Sequence, residues 1–217
     1  MVVSHELPPL VVQTPRIESA RARRIRLVAF DVDGVLTDGG LYLGSATHEG
    51  AVVPFELKRY DVQDGLGMAM LRECGIKVVI LTGRVSESVA IRARELRVDA
   101  CVQDSQARKL PALRRLCADW DIALDDVAFV GDDLPDLAVM RAVGLAVAVR
   151  NAAIEIRRAA HLQLDAHGGR GAVREFSEAL LHARDEWIDA VERYVRSRSD
   201  DMLPDASARG IGSEVPQ

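Results

Sequence analysis

Residues 26–39, RLVAFDVDGVLTDG, constrain the fold of this chain more than any other stretch. Leu27, Val28, Ala29 and Phe30 form a continuous apolar run, the pattern of a strand buried on both faces in a parallel sheet. The run ends abruptly in acid. Asp31 and Asp33 stand two residues apart, so in an extended chain both carboxylates point to one side, and Gly34 lets the backbone turn away just beyond them. The carboxyl ends of strands are where open α/β sheets bind ligands. Acids after a strand also serve as plain helix caps, so the meaning of this pair depends on the rest of the chain.

Two further strands end in the same manner. KVVILTGR carries an apolar run into Thr82, Gly83 and Arg84, and VAFVGDDLPDL carries another into Asp132, Asp133 and Asp136. Between and after them the pattern alternates. A helix begins near Asp64, another follows Ser86, a short strand covers 100–102, and a helix opened by Pro111 covers 109–120. Beyond the third strand come helices over 134–143 and 152–160, strands over 145–149 and 161–164, and one long helix from about 170 to 197. Strand and helix in alternation predict βαβ units with right-handed crossovers, hence a three-layer, Rossmann-like parallel α/β sandwich. A β-hairpin at about 41–57 interrupts the first strand-to-helix step, and no second large domain is present. The expected organisation is a flexible N-terminal arm over 1–23, one domain over 24–197, and a flexible polar tail over 198–217.

Composition narrows the function classes. A net charge of -5 argues weakly against a nucleic-acid partner. No apolar run approaches the length of a membrane span, and the first twenty residues lack the basic start and apolar centre of a secretory signal. A cytoplasmic protein is expected. Cys74, Cys101 and Cys117 are odd in number and lack CxxC spacing, which argues against a disulfide framework and a zinc site.

If the three acid-ended strands are neighbours, their clusters meet at one edge. Carboxylates held together repel one another unless a cation neutralises them. A hard divalent ion with oxygen ligands solves this, and Mg²⁺ fits best.

In this order the motifs resemble the haloacid dehalogenase superfamily of phosphohydrolases: DVDGVLT, then LTGR, then a lysine near Lys109, then GDDLPD. The resemblance implies that Asp31 is a nucleophile forming an aspartyl-phosphate and that Asp33 is the general acid and base. It implies that Thr82 holds a phosphoryl oxygen and that Lys109 pairs with nucleophile and phosphate. Asp132 would ligate Mg²⁺ with Asp31 and the Asp33 carbonyl, while Asp133 and Asp136 orient that shell. Arg108 adjoins Lys109, so which cation reaches the site is left open.

The gaps between motifs hold no room for a cap domain, so the chain resembles the capless branch. VQDGLGMAML and above all GGRGAVRE resemble the 3-deoxy-D-manno-octulosonate 8-phosphate phosphatases. That likeness implies a phosphorylated eight-carbon keto sugar acid as substrate, on the route to lipopolysaccharide, with no membrane or nucleic-acid partner. It implies a homotetramer assembled through the hairpins, in which a neighbouring subunit helps close each site, and a role for Arg170, with Arg84 and Gly83, in binding substrate. Departures such as Gln63 and the long arms leave the core chemistry intact but the exact sugar open, with a nine-carbon keto sugar acid 9-phosphate phosphatase as the alternative; a non-catalytic oligomerisation module of the kind fused to sialic-acid-activating enzymes and a phosphotransferase are the alternatives from other classes.

Overall fold

The computed structural model describes residues 16–199. The expected arm over 1–15 and tail over 200–217 lie outside the described residues. The remainder of the expected arm is not free: helix α1 (Ser19–Arg24) buries Ala22 completely. Arg184 secures it, donating to the carbonyls of Ala22 and Ile25 at 3.0 Å each.

The apolar runs form the strands that their composition predicts. Strands β1 (Leu27–Phe30), β4 (Lys77–Thr82), β5 (Ala100–Gln103), β6 (Val127–Gly131), β7 (Leu145–Ala148) and β8 (Leu162–Gln163) make one sheet in the order β5-β4-β1-β6-β7-β8, all parallel. The chain moves outward from β1 in one direction, returns, and then moves outward in the other. Right-handed crossovers therefore place α2 (Val62–Glu73) and α3 (Glu87–Leu96) on one face and α4 (Lys109–Asp119), α5 (Leu137–Met140) and α6 (Ile154–Ala159) on the other. Helix α7 (Ala172–Ala183) returns to the first face against α2, and Phe176 meets Phe30 edge to face at 6.4 Å between centroids. Val28, Ala29, Phe30, Val79 and Phe129 are sealed between the layers. The expected three-layer parallel fold with a hairpin insertion is the fold found.

Register positions the site. Phe30 stands level with Ile80 on one side and Val130 on the other, and the Asp31 N–H donates to the Val130 carbonyl at 3.0 Å. Asp31 is therefore one residue past that row, and Thr82 and Asp132 are two residues past it. All emerge at the switch point where the chain reverses direction across β1.

One expected element divides. The long last helix is α7 followed by α8 (Trp187–Arg196), because Asp185 takes a left-handed conformation (φ 60°) and the Glu186 N–H bonds back to the Leu181 carbonyl at 2.9 Å. The helix expected over 134–143 is a tight turn at Leu134–Asp136 leading into the single-turn α5. The inserted hairpin pairs β2 (Tyr42–His48) with β3 (Ala51–Leu57), and a bridge between Thr37 and Tyr60 closes its base.

Helix α7 starts where α2 allows it to. Gly67 of α2 has no side chain because a Cβ there would press on Ser177 Oγ at 2.9 Å and the Arg174 Cα at 3.1 Å. One turn earlier Asp64 caps α7 from outside its own helix, accepting from the N–H groups of Arg174 (2.9 Å) and Gly171 (3.4 Å). Burial raises the Asp64 carboxyl from 3.8 to about 6, although the backbone donors pull it back. A carboxyl with a raised folded-state pKa contributes stability that is complete below its unfolded value and is lost as pH rises through the folded value. Relative to Asp64→Asn, which keeps the accepting oxygen without the charge, the native protein should thus lose stability between about pH 4 and pH 6. Thermal melting of both proteins across that range measures it, and parallel curves would contradict the account.

Candidate active site

The edge defined by β1, β4 and β6 gathers three carboxylates around one amine. Carboxylate oxygens of Asp31, Asp132 and Asp136 lie within 4.8 Å of one another. The Lys109 ammonium donates to Asp31 Oδ1 and to Asp136 Oδ1, each at 2.6 Å, with its side chain almost fully buried. Lys109 is the first residue of α4, reached through a turn in which Ala107 takes a left-handed conformation (φ 52°). Arg108 points the other way and pairs with Asp104 at 3.1 Å on the surface. Of the two cations left open by the sequence, Lys109 faces Asp31.

Asp136 is the hub of the cluster. Its second oxygen accepts the Asp132 N–H at 3.0 Å, so it holds both the cation and the backbone of the neighbouring acid. Asp133, expected to share that task, instead caps the turn after β6 by accepting the Leu134 N–H at 2.8 Å. Burial, followed by the nearby Asp31 carboxylate, raises Asp132 to about 8 and Asp136 to about 6. Burial alone would lower the Lys109 amine, but Asp31 and Asp136 outweigh it and raise it.

The donor set fits a hard divalent cation. Asp132 Oδ1 is buried and has no hydrogen-bond partner among the described residues, and its carboxyl lies close to that of Asp31. A buried acceptor without a donor calls for a positive partner. Oxygen-only ligands match Mg²⁺ better than zinc.

The other sequence-derived residues make contacts of their own. Thr82 is buried at the end of β4, where its Oγ1 accepts the Arg84 N–H at 3.2 Å. Gly83 passes so close to Ala107 that a Cβ would stand 2.8 Å from the alanine methyl. Asp33 and Arg84 meet, with Arg84 Nε 3.6 Å from Asp33 Oδ2. Arg170 is not drawn into the cluster: it lies 3.7 Å from Asp38 and lines a separate cavity of about 340 Å³ with Tyr42, Asn151, His167 and Gly168.

Two residues here escape a reading of the sequence. Lys58, just after β3, pairs with Asp33 Oδ1 and has no exposed side-chain surface. In ELKRY it reads as one more cation at a solvated strand end, and the only signal is its i+2 spacing from Glu56. Asn151 braces the loop after β1, accepting the Gly168 N–H at 2.8 Å and donating to the Gly34 carbonyl at 3.4 Å. That contact explains the paired glycines of GGRGAVRE: a Cβ on Gly168 would collide with the Gly34 carbonyl, and one on Gly169 with the Thr37 backbone.

Removal of the cation tests the cluster. Lys109→Met should destabilise the fold by on the order of 3 kcal/mol near neutral pH, because the buried carboxylates lose their partner. The deficit should shrink toward pH 5 as Asp136, raised to about 6, takes up a proton, a trend that melting curves at several pH values would show. A pH-independent deficit would contradict it.

Comparison with known proteins places this geometry. The model for haloacid dehalogenase-like hydrolases matches residues 102–176. The 3-deoxy-D-manno-octulosonate 8-phosphate phosphatase of Yersinia pestis is 40% identical over 166 residues, covering 76% of this chain and 84% of that protein. The Escherichia coli protein of the same description is 42% identical over 172 residues, covering 79% and 87%. A crystal structure of the Moraxella catarrhalis 3-deoxy-D-manno-octulosonate 8-phosphate phosphatase, in complex with magnesium, phosphate and the sugar acid, superposes with a TM-score of 0.72 at 38% identity, covering 81% and 97%. With identity of this level sustained across most of both chains, and with the same parallel sheet, the protein belongs to the haloacid dehalogenase-like hydrolases, in the family of the 3-deoxy-D-manno-octulosonate 8-phosphate phosphatases.

Proposed function

We propose that the protein is a Mg²⁺-dependent phosphomonoester hydrolase that acts through an aspartyl-phosphate on Asp31, with 3-deoxy-D-manno-octulosonate 8-phosphate as its substrate. The observation that carries this reading is the convergence of Asp31, Lys109, Asp132 and Asp136 at the switch point of the sheet. Asp31, Asp132 and the Asp33 carbonyl would hold Mg²⁺, which when bound draws charge from the phosphoryl oxygens and neutralises the carboxylates.

The chain's own residues do the rest. Asp31 Oδ attacks phosphorus in line while the bond to the sugar oxygen breaks, and Asp33 gives its proton to the departing alkoxide. Asp33, now a carboxylate, takes a proton from water as that water attacks the acyl phosphate, which returns Asp31 and releases inorganic phosphate. Lys109 holds Asp31 in place and faces the negative charge that grows on the phosphoryl group. Thr82, with its hydroxyl at the end of β4, would donate to a phosphoryl oxygen. Arg84, beside Gly83, and Arg170, exposed at its cavity, are guanidinium groups available to the substrate carboxylate.

A homotetramer completes the site in this reading, and the hairpin supports it. Residues directly opposite in an antiparallel pair share a face. Tyr42 and Leu57 are such a pair, and Phe55 and Val53 continue that face. All four expose much of their apolar surface, which a lone two-stranded hairpin cannot bury. The reading also places the enzyme in the cytoplasm, within lipopolysaccharide synthesis. Its free cysteines are in keeping with that, and no described helix is long and apolar enough to cross a membrane.

Phosphate release from a panel of phosphorylated sugars tests the assignment. The eight-carbon keto acid 8-phosphate should be strongly preferred over the nine-carbon 9-phosphate, chelation of Mg²⁺ should abolish release, and Asp31→Asn should lower it by on the order of 1,000-fold or more. No release from any member would refute the phosphatase reading. Val53→Asp with Phe55→Asp should convert the tetramer to smaller species in sedimentation velocity, and an unchanged tetramer would contradict the assembly role of that face.

A further inference from the structure

The hairpin has a second face. Glu56 and Lys58 alternate along the chain at and just beyond the end of β3, so they share the side opposite Val53, Phe55 and Leu57. That side looks across a groove of about 860 Å³ toward the start of α3. Glu56 accepts from the Ser86 hydroxyl and lies 3.6 Å from Arg84, while Ser86 Oγ caps α3 by accepting the Val89 N–H at 3.3 Å. Two residues on, the Lys58 amine meets Asp33, whose other oxygen lies 3.6 Å from Arg84. The hairpin thus fixes the loop after β4 with one side chain and Asp33 with the next.

A lysine whose side chain is buried at such a place has a cost. An ammonium removed from water needs an acceptor beside it, and an oxygen of the Asp33 carboxyl is the one it meets. Nothing about folding the hairpin requires a cation there, since an apolar residue would fill the same space without losing hydration. The pairing gains a purpose from the chemistry of Asp33. As the P–O bond breaks and the proton leaves Asp33 for the alkoxide, a negative charge appears on Asp33 beside the phosphorylated Asp31. Lys58 already stands against the oxygen that acquires it.

We propose that Lys58 is a positioning residue for Asp33, holding its carboxyl in the proton-transfer geometry and facing the charge left when the proton departs. This rests on the phosphatase reading above. The preorganised cation works in the steps where Asp33 carries charge, at the end of the first displacement and at the start of acyl-phosphate hydrolysis. It forms no bond to substrate and gives up no proton of its own.

Leaving-group chemistry isolates this role. An alkyl phosphate needs a proton on its departing oxygen, whereas p-nitrophenyl phosphate departs as a stable phenolate and does not. Asp31 attack is common to both. Lys58→Met, close in size and apolar, should slow phosphate release from glycerol phosphate and from the keto sugar acid phosphate by roughly 100-fold in kcat, and release from p-nitrophenyl phosphate by under about 3-fold, with kcat taken under conditions where formation of the acyl phosphate limits turnover. Lys58→Arg should restore much of the alkyl rate. The ratio of the two rates within one protein sample is independent of the folded fraction, so partial unfolding of the variant cannot imitate the result. Equal losses on both substrates would overturn the proposal and leave Lys58 a brace for the hairpin. A loss confined to KM for the sugar acid phosphate, with glycerol phosphate unaffected, would overturn it in favour of a sugar contact. If the unaltered protein releases phosphate from none of these compounds, the phosphatase reading fails, an outcome distinct from either.

Discussion

The buried ammonium of Lys109 is the interaction on which the rest of this structure depends. The parallel sheet brings the ends of β1 and β6 side by side, and with them three carboxylates whose oxygens crowd within 4.8 Å. Repulsion among them would open that edge of the domain without a cation in their midst. One amine touching both Asp31 and Asp136 makes the crowding tolerable, and Asp136 passes the constraint to the Asp132 backbone. The arrangement remains short of positive charge. Burial and Asp31 raise Asp132 to about 8, and its Oδ1 has no donor among the described residues. The fold therefore builds a centre whose electrostatics are complete only with a further cation.

Around this centre the loops are fixed by close backbone approach more than by side-chain packing. Gly168 and Gly169 lie directly on the loop after β1, with the Gly169 N–H on the Val35 carbonyl at 2.8 Å and Arg59 donating to the Gly169 carbonyl at 2.6 Å. Asp64 then sets the start of α7 from α2. The loop after β1, the last loop and two helices are thus one connected unit, which places a motif more than a hundred residues downstream of Asp31 against the turn that follows it. The hairpin joins this unit from the opposite side through Lys58 and Glu56, while Tyr42, Val53, Phe55 and Leu57 keep apolar surface exposed on its other face.

Much of this was legible before the fold was known, for reasons that particular residues show. Uninterrupted apolar runs such as Leu27–Phe30 can exist only where both faces of a strand are covered, so they announce a parallel sheet and locate the acids at its edge. The limits have equally local causes. Arg108 and Lys109 are adjacent cations, and only the left-handed turn at Ala107 decides which enters the core. The break between α7 and α8 occurs at Arg184 and Asp185, without the glycine or proline that announces a helix end. The helix in the supposed arm is held by contacts with Arg184, a residue 162 positions from Ala22 in sequence, which no local pattern can convey. Lys58 is hidden for a similar reason, since a strand's alternation separates two faces but does not say which of them meets the acid.

The central claim is that these strand ends make Asp31 a nucleophile. Its most direct test is a single-turnover reaction with substrate and Mg²⁺, stopped in acid before one turnover is complete and followed by mass spectrometry of the peptides. The account predicts a phosphoryl adduct on Asp31, removable by hydroxylamine and absent in Asp31→Asn. Turnover without an adduct at any time, or an adduct on another residue, would contradict it.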